Sequence, residues 1–266
     1  MKNFYKNKTV WITGASSGIG EAMAVMLSKF GTKLILTSEN KEELVRVSKI
    51  CSDKGANVET LLLDQSDADM VETVSKKIIS QFAPIDVAIF NAGISQRATV
   101  SDTSLAVHDK IMQVNFRAYV QITNKLLPVM LKNGGGYIGV TSSISGKFGF
   151  HLRSSYAASK HALHGFFESM GIEYRNDQLF VTIVCPGRVK TSISVNALQG
   201  DGSSYGRMDD GQQGGISAER CAKKYLMAIY KKRREKLIGG RELLMAYFKR
   251  FCPCLFYYIA KKIKPV

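Results

Sequence analysis

The chain has 266 residues, 45% of them hydrophobic and 22% charged, with a formal net charge of +15. That length and balance predict one globular domain with a sizeable core, and the absence of any apolar run near the ~20 residues of a bilayer-crossing helix argues against an integral α-helical membrane protein. The five scattered cysteines, at 51, 185, 221, 252 and 254, argue against a disulfide-stapled scaffold and for reduced thiols in a cytoplasmic protein.

Residues 1–6 carry no signal-peptide core and lead directly into a strand pattern. From there, short β-branched runs alternate with longer helical patterns. Strands are predicted at residues 8–13, 33–37, 58–63, 87–90, 137–141, 181–185 and 236–238. Helices are predicted at 18–30, 41–53, 68–82, 105–131, 155–175 and 218–232. Crossovers of this length imply an α/β fold over residues 1–240: a Rossmann-type doubly wound parallel sheet of about seven strands, in one domain. Residues 192–216 break the rhythm with six glycines and little apolar periodicity. They are read as a lid over the site, the alternative being a plain mobile insertion.

The turn Thr13-Gly14-Ala15-Ser16-Ser17-Gly18-Ile19-Gly20 follows the first strand and opens the first helix. Its glycines allow close backbone approach to phosphates, and the helix N-terminus favours their charge. The spacing is G-x-x-x-G-x-G rather than G-x-G-x-x-G. Further on, Tyr156 and Lys160 stand four residues apart on one helix face. A phenol titrates near pH ~10, and an ammonium beside it favours the phenolate, so the pair can shuttle a proton near neutrality. The Ser143 hydroxyl, thirteen residues upstream, can hold a carbonyl or alcohol by hydrogen bond. Alone, such a helical pair is often no more than a solvated face.

Asp64 after the third strand, Asn91-Ala92-Gly93 after the fourth, Asn115, Ser143, Tyr156, Lys160, and Pro186-Gly187 followed by Thr191 complete an ordered series with the glycine turn. In this series the chain resembles the short-chain dehydrogenase/reductase family over residues 6–240. The resemblance implies an NAD(P)(H)-dependent hydride transfer between nicotinamide and a carbonyl or secondary alcohol. Tyr156 would then donate the proton and Ser143 hold the oxygen, while Lys160 lowers the tyrosine pKa and anchors the ribose. It places Gly14, Ser16, Gly18 and Ile19 around the pyrophosphate, with Ser17 and Gly20 in the same turn. Asp64 and Gln65 fall near the adenine, Asn91, Ala92 and Gly93 near its ribose, and Pro186, Gly187 and Thr191 near the nicotinamide amide. Asn115 resembles the residue that holds a water linking the lysine to solvent, which is compatible with a helix-kinking core asparagine. The resemblance also implies a homodimer or homotetramer, paired through the helices bearing Asn115 and Tyr156. From another class, a non-catalytic nucleotide-binding regulatory protein on the same scaffold has no need of the intact Asn-Ser-Tyr-Lys set.

At the end of the second strand, Ser38 replaces the aspartate typical of NAD-dependent members. Glu39 stands where NADP-dependent members place arginine, and Ser16 where others place a basic residue. A carboxylate repels a 2′-phosphate but accepts hydrogen bonds from a ribose hydroxyl, so the charges lean to NAD(H). His161 and His164 are read as helix residues rather than metal ligands, with no metal expected, and His151 as a candidate wall of the substrate pocket. The segments 93–95, 153–162 and 194–206 look like the member 7/7B branch of the family, whose members act on lipophilic carbonyls, though the N-terminal anchor of those relatives is missing and Glu39 departs from their pattern.

The charge is concentrated at the end: residues 217–266 hold fourteen Lys and Arg against three Glu, leaving +4 for the first 216. Within it, 241–266 reads as a basic, aromatic amphipathic tail broken by Pro253. Such a tail can lie peripherally on an anionic membrane or pack on the domain or a sister subunit. No fold for nucleic-acid recognition accompanies the charge, so no nucleic acid is expected as a partner.

Overall fold

The computed structural model describes residues 1–263, the side chain of Asp177 apart. Seven parallel strands form one sheet in the order β3-β2-β1-β4-β5-β6-β7. They are β1 (Thr9–Thr13), β2 (Lys33–Ser38), β3 (Asn57–Leu62), β4 (Val87–Phe90), β5 (Gly136–Thr141), β6 (Leu179–Pro186) and β7 (Glu235–Ile238). The central strand β4, Val-Ala-Ile-Phe, is buried on both faces, as a parallel sheet covered by helices requires. Chain direction across the sheet reverses between β1 and β4, which opens a crevice at their C-terminal ends.

After a short N-terminal turn, α1 (Lys2–Tyr5), two helix layers cover the sheet. On one face α2 (Gly18–Ser28), α3 (Lys41–Ser52) and a later helix over Ala218–Tyr230 bury Met23, Leu27, Val47 and Leu226. The other face is covered by α4 (Ala68–Phe82), α5 (Leu105–Met112), α6 (Ala118–Lys132) and α7 (Ser154–Glu173), which bury Val71, Ile122, Leu163 and Phe167. The helix predicted over 105–131 is α5 and α6 joined by a π-helical turn, Gln113–Arg117, centred on Asn115. An extra residue per turn there widens the hydrogen-bond ladder, a feature typical of functional positions. The four-residue α1 carries too little sequence for a periodic signal, yet it buries Tyr5, whose hydroxyl donates to Leu226 O at 2.8 Å.

Residues 192–216 are packed down. They include α8 (Asp210–Gln213) and strand-like bridges from Leu198 to Gln96 and Ser204. Ser194, Ala197 and Asp209 in the segment are buried. Beyond α9 (Ala218–Tyr230) and β7, the tail forms α10 (Leu244–Phe251) and α11 (Pro253–Lys262), separated at Pro253 as expected. Phe256 of α11 is buried against Phe148, ring centroids 5.1 Å apart. Residues 264–266 of the expected tail lie outside the described residues. Among the described residues no helix is long and apolar enough to cross a membrane, and all five cysteines are free thiols.

Candidate active site

Loops leaving the C-terminal ends of β1, β2, β4, β5 and β6 converge on one cleft of about 610 Å³. Of the predicted site residues, all but Gly20 and Asn115 line it. Both exceptions stand directly behind the wall. A Cβ on Gly20 would lie 2.1 Å from Gly14 O and 2.7 Å from the Asn91 amide, so glycine is needed for the turn to close. Gly14 is left-handed at φ 63°, and a Cβ there would meet Ala92 Cα at 2.6 Å. Thr13 Oγ1 accepts from the Asn91 and Ala92 amides at 3.0 and 3.2 Å, tying the loop after β4 to the glycine turn.

Asn115 is fully buried. Its Oδ1 accepts from Ile94 N at 2.9 Å, and its Nδ2 donates to Ile94 O and Ser159 Oγ, each at 3.0 Å. The side chain therefore staples the Gly93-Ile94 loop to α7. A Cβ on Gly93 would sit 3.0 Å from Asn115 Oδ1 and 3.3 Å from Lys160 Nζ, so these three residues meet at one point. Lys160 Nζ donates to Thr141 O at 2.9 Å. Ser143 accepts from Ser145 N at 3.1 Å, which fixes its hydroxyl at the mouth of a 3-10 turn.

Burial dominates the electrostatics. It pushes the Tyr156 phenol above its ordinary value, against the Ser143 hydrogen bond and the charges of Arg97 and Arg153, which pull it down. It pushes the Lys160 amine down to about 7. The expected depression of the tyrosine by the lysine is absent: Nζ lies 5.7 Å from the ring centroid, and burial lowers the amine's own pKa so that its charge is already falling near neutrality.

A second cavity, of about 490 Å³, meets the first at Ser143, Tyr156 and Gly187. Its wall is apolar, from Ile144, Phe148, Phe150, Met245 and Ile263. One end is charged: Asp209, from the 192–216 segment, pairs with Arg97 at 2.5 Å and Arg153 at 2.9 Å. Sequence reading missed all three residues. Arg97 and Asp209 lie 112 positions apart in irregular loops and give no periodic signal. It also missed Glu242, whose carboxylate accepts from Arg188 N at 2.8 Å and Gly240 N at 3.0 Å and so binds the start of the tail to the Gly187 loop.

The histidines depart from expectation in one respect. His151 does not line the cavity; it is exposed and its Nε2 meets Ala260 O of α11 at 3.1 Å. His161 bonds back to Ala157 O on its own helix, apart from His164. Ligating atoms of His164, Cys185 and Glu235 lie within 4.8 Å of one another. That cluster is closed by its own partners: Lys147 pairs with Glu235 at 2.5 Å, and the two His164 nitrogens meet Glu168 at 3.0 Å and Ser142 at 3.1 Å.

The short chain dehydrogenase family profile matches residues 8–201. A dehydrogenase/reductase SDR family protein 7-like of Drosophila melanogaster is 36% identical, over 98% of this chain and 82% of its own. The human dehydrogenase/reductase SDR family member 7 is 34% identical, over 96% of this chain and 77% of its own. Among solved structures, a short chain dehydrogenase/reductase from Burkholderia phymatum in complex with NAD superposes with a TM-score of 0.83 at 21% identity, covering 98% of this chain and 97% of that one. A short chain dehydrogenase from Shigella flexneri complexed with NADP gives 0.77 at 25%, covering 89% and 98%. With the family pattern across most of the chain and Ser143 and Tyr156 lining both cavities where they meet, the chain belongs to the short-chain dehydrogenase/reductase family and is an NAD(P)(H)-dependent oxidoreductase.

Proposed function

We propose that the protein interconverts lipophilic ketones and secondary alcohols, with the nicotinamide cofactor in the larger cleft and the substrate in the smaller cavity. The observation that carries this reading is the position of Tyr156 and Ser143, which line both cavities where they meet. The larger cleft fits a dinucleotide: the tight turn from Gly14, which closes against Ala92 only without a Cβ, opens α2 on its wall and sets a helix N-terminus beside a phosphate-sized approach. Gln65 Oε1 on the same wall is buried without a hydrogen-bond partner, a polar atom suited to an adenine.

When bound, the nicotinamide supplies or accepts the hydride at the substrate carbon. Ser143 Oγ–H donates to the substrate oxygen and orients it. Tyr156 donates its hydroxyl proton to that oxygen as the carbonyl is reduced, and takes it back in the reverse direction. Lys160, which meets Asn115 at Gly93, returns the proton to Tyr156 from solvent. The phenol remains protonated at neutral pH because burial raises its pKa, which suits reduction. Residues 192–216, fixed through Asp209, act as the lid of the substrate cavity.

NAD(H) is the preferred cofactor. Ser16 and Ser38 hydroxyls meet at 2.7 Å at the end of β2, and Glu39 lies beside them. Of the nearby cations, Arg46 is paired with Glu21 at 2.8 Å and Glu43 at 2.7 Å, while the exposed Lys41 opens α3. Glu39, Glu43 and Asp64 line the cleft, a rim in which carboxylates prevail and disfavour a 2′-phosphate. A homodimer or homotetramer paired through the helices around Asn115 and Tyr156 is consistent with the exposed Leu105 of α5 and Ile172 of α7.

The test is a homologous series of alkyl ketones assayed with NADH and NADPH. KM is expected to fall about fourfold per added methylene until the cavity is filled, with NADH bound more tightly than NADPH. Turnover confined to short polar carbonyls would overturn the substrate class, and tighter NADPH would overturn the cofactor preference.

A further inference from the structure

We propose that the α10–α11 hairpin is a docking face for an anionic phospholipid bilayer and that it opens the substrate cavity onto that surface. The second half of this proposal rests on the lipophilic-substrate reading above; the first half does not. On α10, Leu244, Tyr247 and Phe251 are 52%, 51% and 71% exposed and fall at i, i+3 and i+7, so they form one outward apolar stripe. On α11, Tyr257 and Tyr258 are 54% and 60% exposed, and Tyr257 meets Lys249 of α10. A stripe of large apolar side chains facing water marks an interaction surface.

The charge decides what covers it. Residues 243–263 hold Lys249, Arg250, Lys261 and Lys262 and no acidic residue. Lys249 Nζ donates to the Tyr257 hydroxyl at 2.7 Å and Lys262 Nζ to the Tyr258 hydroxyl at 2.5 Å, so cations stand at the level of the phenols. Amphipathic aromatic rings rimmed by lysine and arginine suit the boundary between acyl chains and anionic headgroups. A second copy of the chain docking by this face would set four cations against four, which disfavours self-association there.

The opposite side of the same hairpin faces inward. Phe256 is 2% exposed against Phe148, and Met245 and Ile263 line the substrate cavity. A lipophilic ketone dissolved in the bilayer therefore reaches the cavity by way of the hairpin without crossing water.

The test is sedimentation with vesicles of phosphatidylcholine alone or with about a quarter phosphatidylserine. The intact chain is expected to bind the anionic vesicles at least about tenfold more tightly, with the advantage lost between about 0.1 and about 0.5 M NaCl. The double variant Phe251→Ser/Tyr258→Ser, at exposed positions, is expected to lose at least about tenfold in binding while retaining the Kd for NADH. Cys252 and Cys254 are exposed and the other three cysteines buried, so a polarity-sensitive thiol dye at the bend reports the docked face. Its emission should shift blue on adding anionic vesicles. Equal binding to both vesicle types, unchanged binding by the double variant, or a blue-shifted dye in a vesicle-free dimer would overturn the docking. With ketone in anionic vesicles the double variant should turn over more slowly than the parent, and equally with ketone in detergent; equal rates in vesicles overturn the portal. Absence of turnover with every ketone, with vesicle binding intact, would instead refute the lipophilic-substrate reading alone.

Discussion

Tyr156→Phe is expected to fold, to bind the dinucleotide with near-unchanged Kd and to lose about 10³-fold in kcat. The ring is buried in α7 at the junction of the two cavities, and phenylalanine keeps that packing while removing the proton. The neighbouring hydroxyls do not substitute for it. Ser143 has an ordinary alcohol's weak acidity and a hydrogen bond from Ser145 N to hold it in place, and Thr141 Oγ1 is committed to the Tyr225 hydroxyl at 3.1 Å. Single-turnover kinetics of the variant check the claim. Loss of binding along with rate would show that the side chain is structural, and preserved rate would remove it from the chemistry.

Lys160→Met is expected to abolish turnover while stabilising the fold. Lys160 is 2% exposed, and burial pushes its amine from 10.5 down to about 7. The folded protein therefore resists a proton that the unfolded chain accepts. The destabilisation is complete below about pH 7, shrinks as pH rises, and vanishes above the unfolded lysine's pKa of 10.5. Removing the amine recovers about 4 kcal/mol at pH 7 and about 2 kcal/mol at pH 9. Loss of the bond to Thr141 O offsets about 1 kcal/mol of this. Denaturant titration without added cofactor, run at both pH values, checks the sign and the slope. A variant less stable at pH 7 than at pH 9, relative to the parent, contradicts the burial argument. A stability gain from deleting a site residue is the mark of a group held against its own solvation for function.

Much of the fold is readable from period alone. The buried strand β4 and the amphipathic α4 differ so clearly in pattern that the alternation, and hence the parallel sheet, follows. The turn at Gly14 to Gly20 is legible because its backbone demands glycine at stated positions. What the linear pattern lacks is depth and distance. Burial reverses the expected relation of Lys160 to Tyr156, since desolvation depends on what the rest of the chain places above them. The Arg97–Asp209 pair joins two irregular loops whose meeting no local signal announces. The tail carries large apolar residues both outward and inward among its lysines, so its sequence does not show which of them lie in the cavity.

The central claim is hydride transfer to a lipophilic carbonyl at the junction of the two cavities. Its most direct measurement uses NADH stereospecifically deuterated at the nicotinamide C4, a medium-chain ketone and the intact protein, with mass analysis of the alcohol. The account predicts one deuterium on the carbinol carbon from one face of the nicotinamide and a solvent-derived proton on oxygen. An alcohol without cofactor deuterium from both the 4R- and the 4S-labelled NADH, or no alcohol across the ketone series, would contradict it.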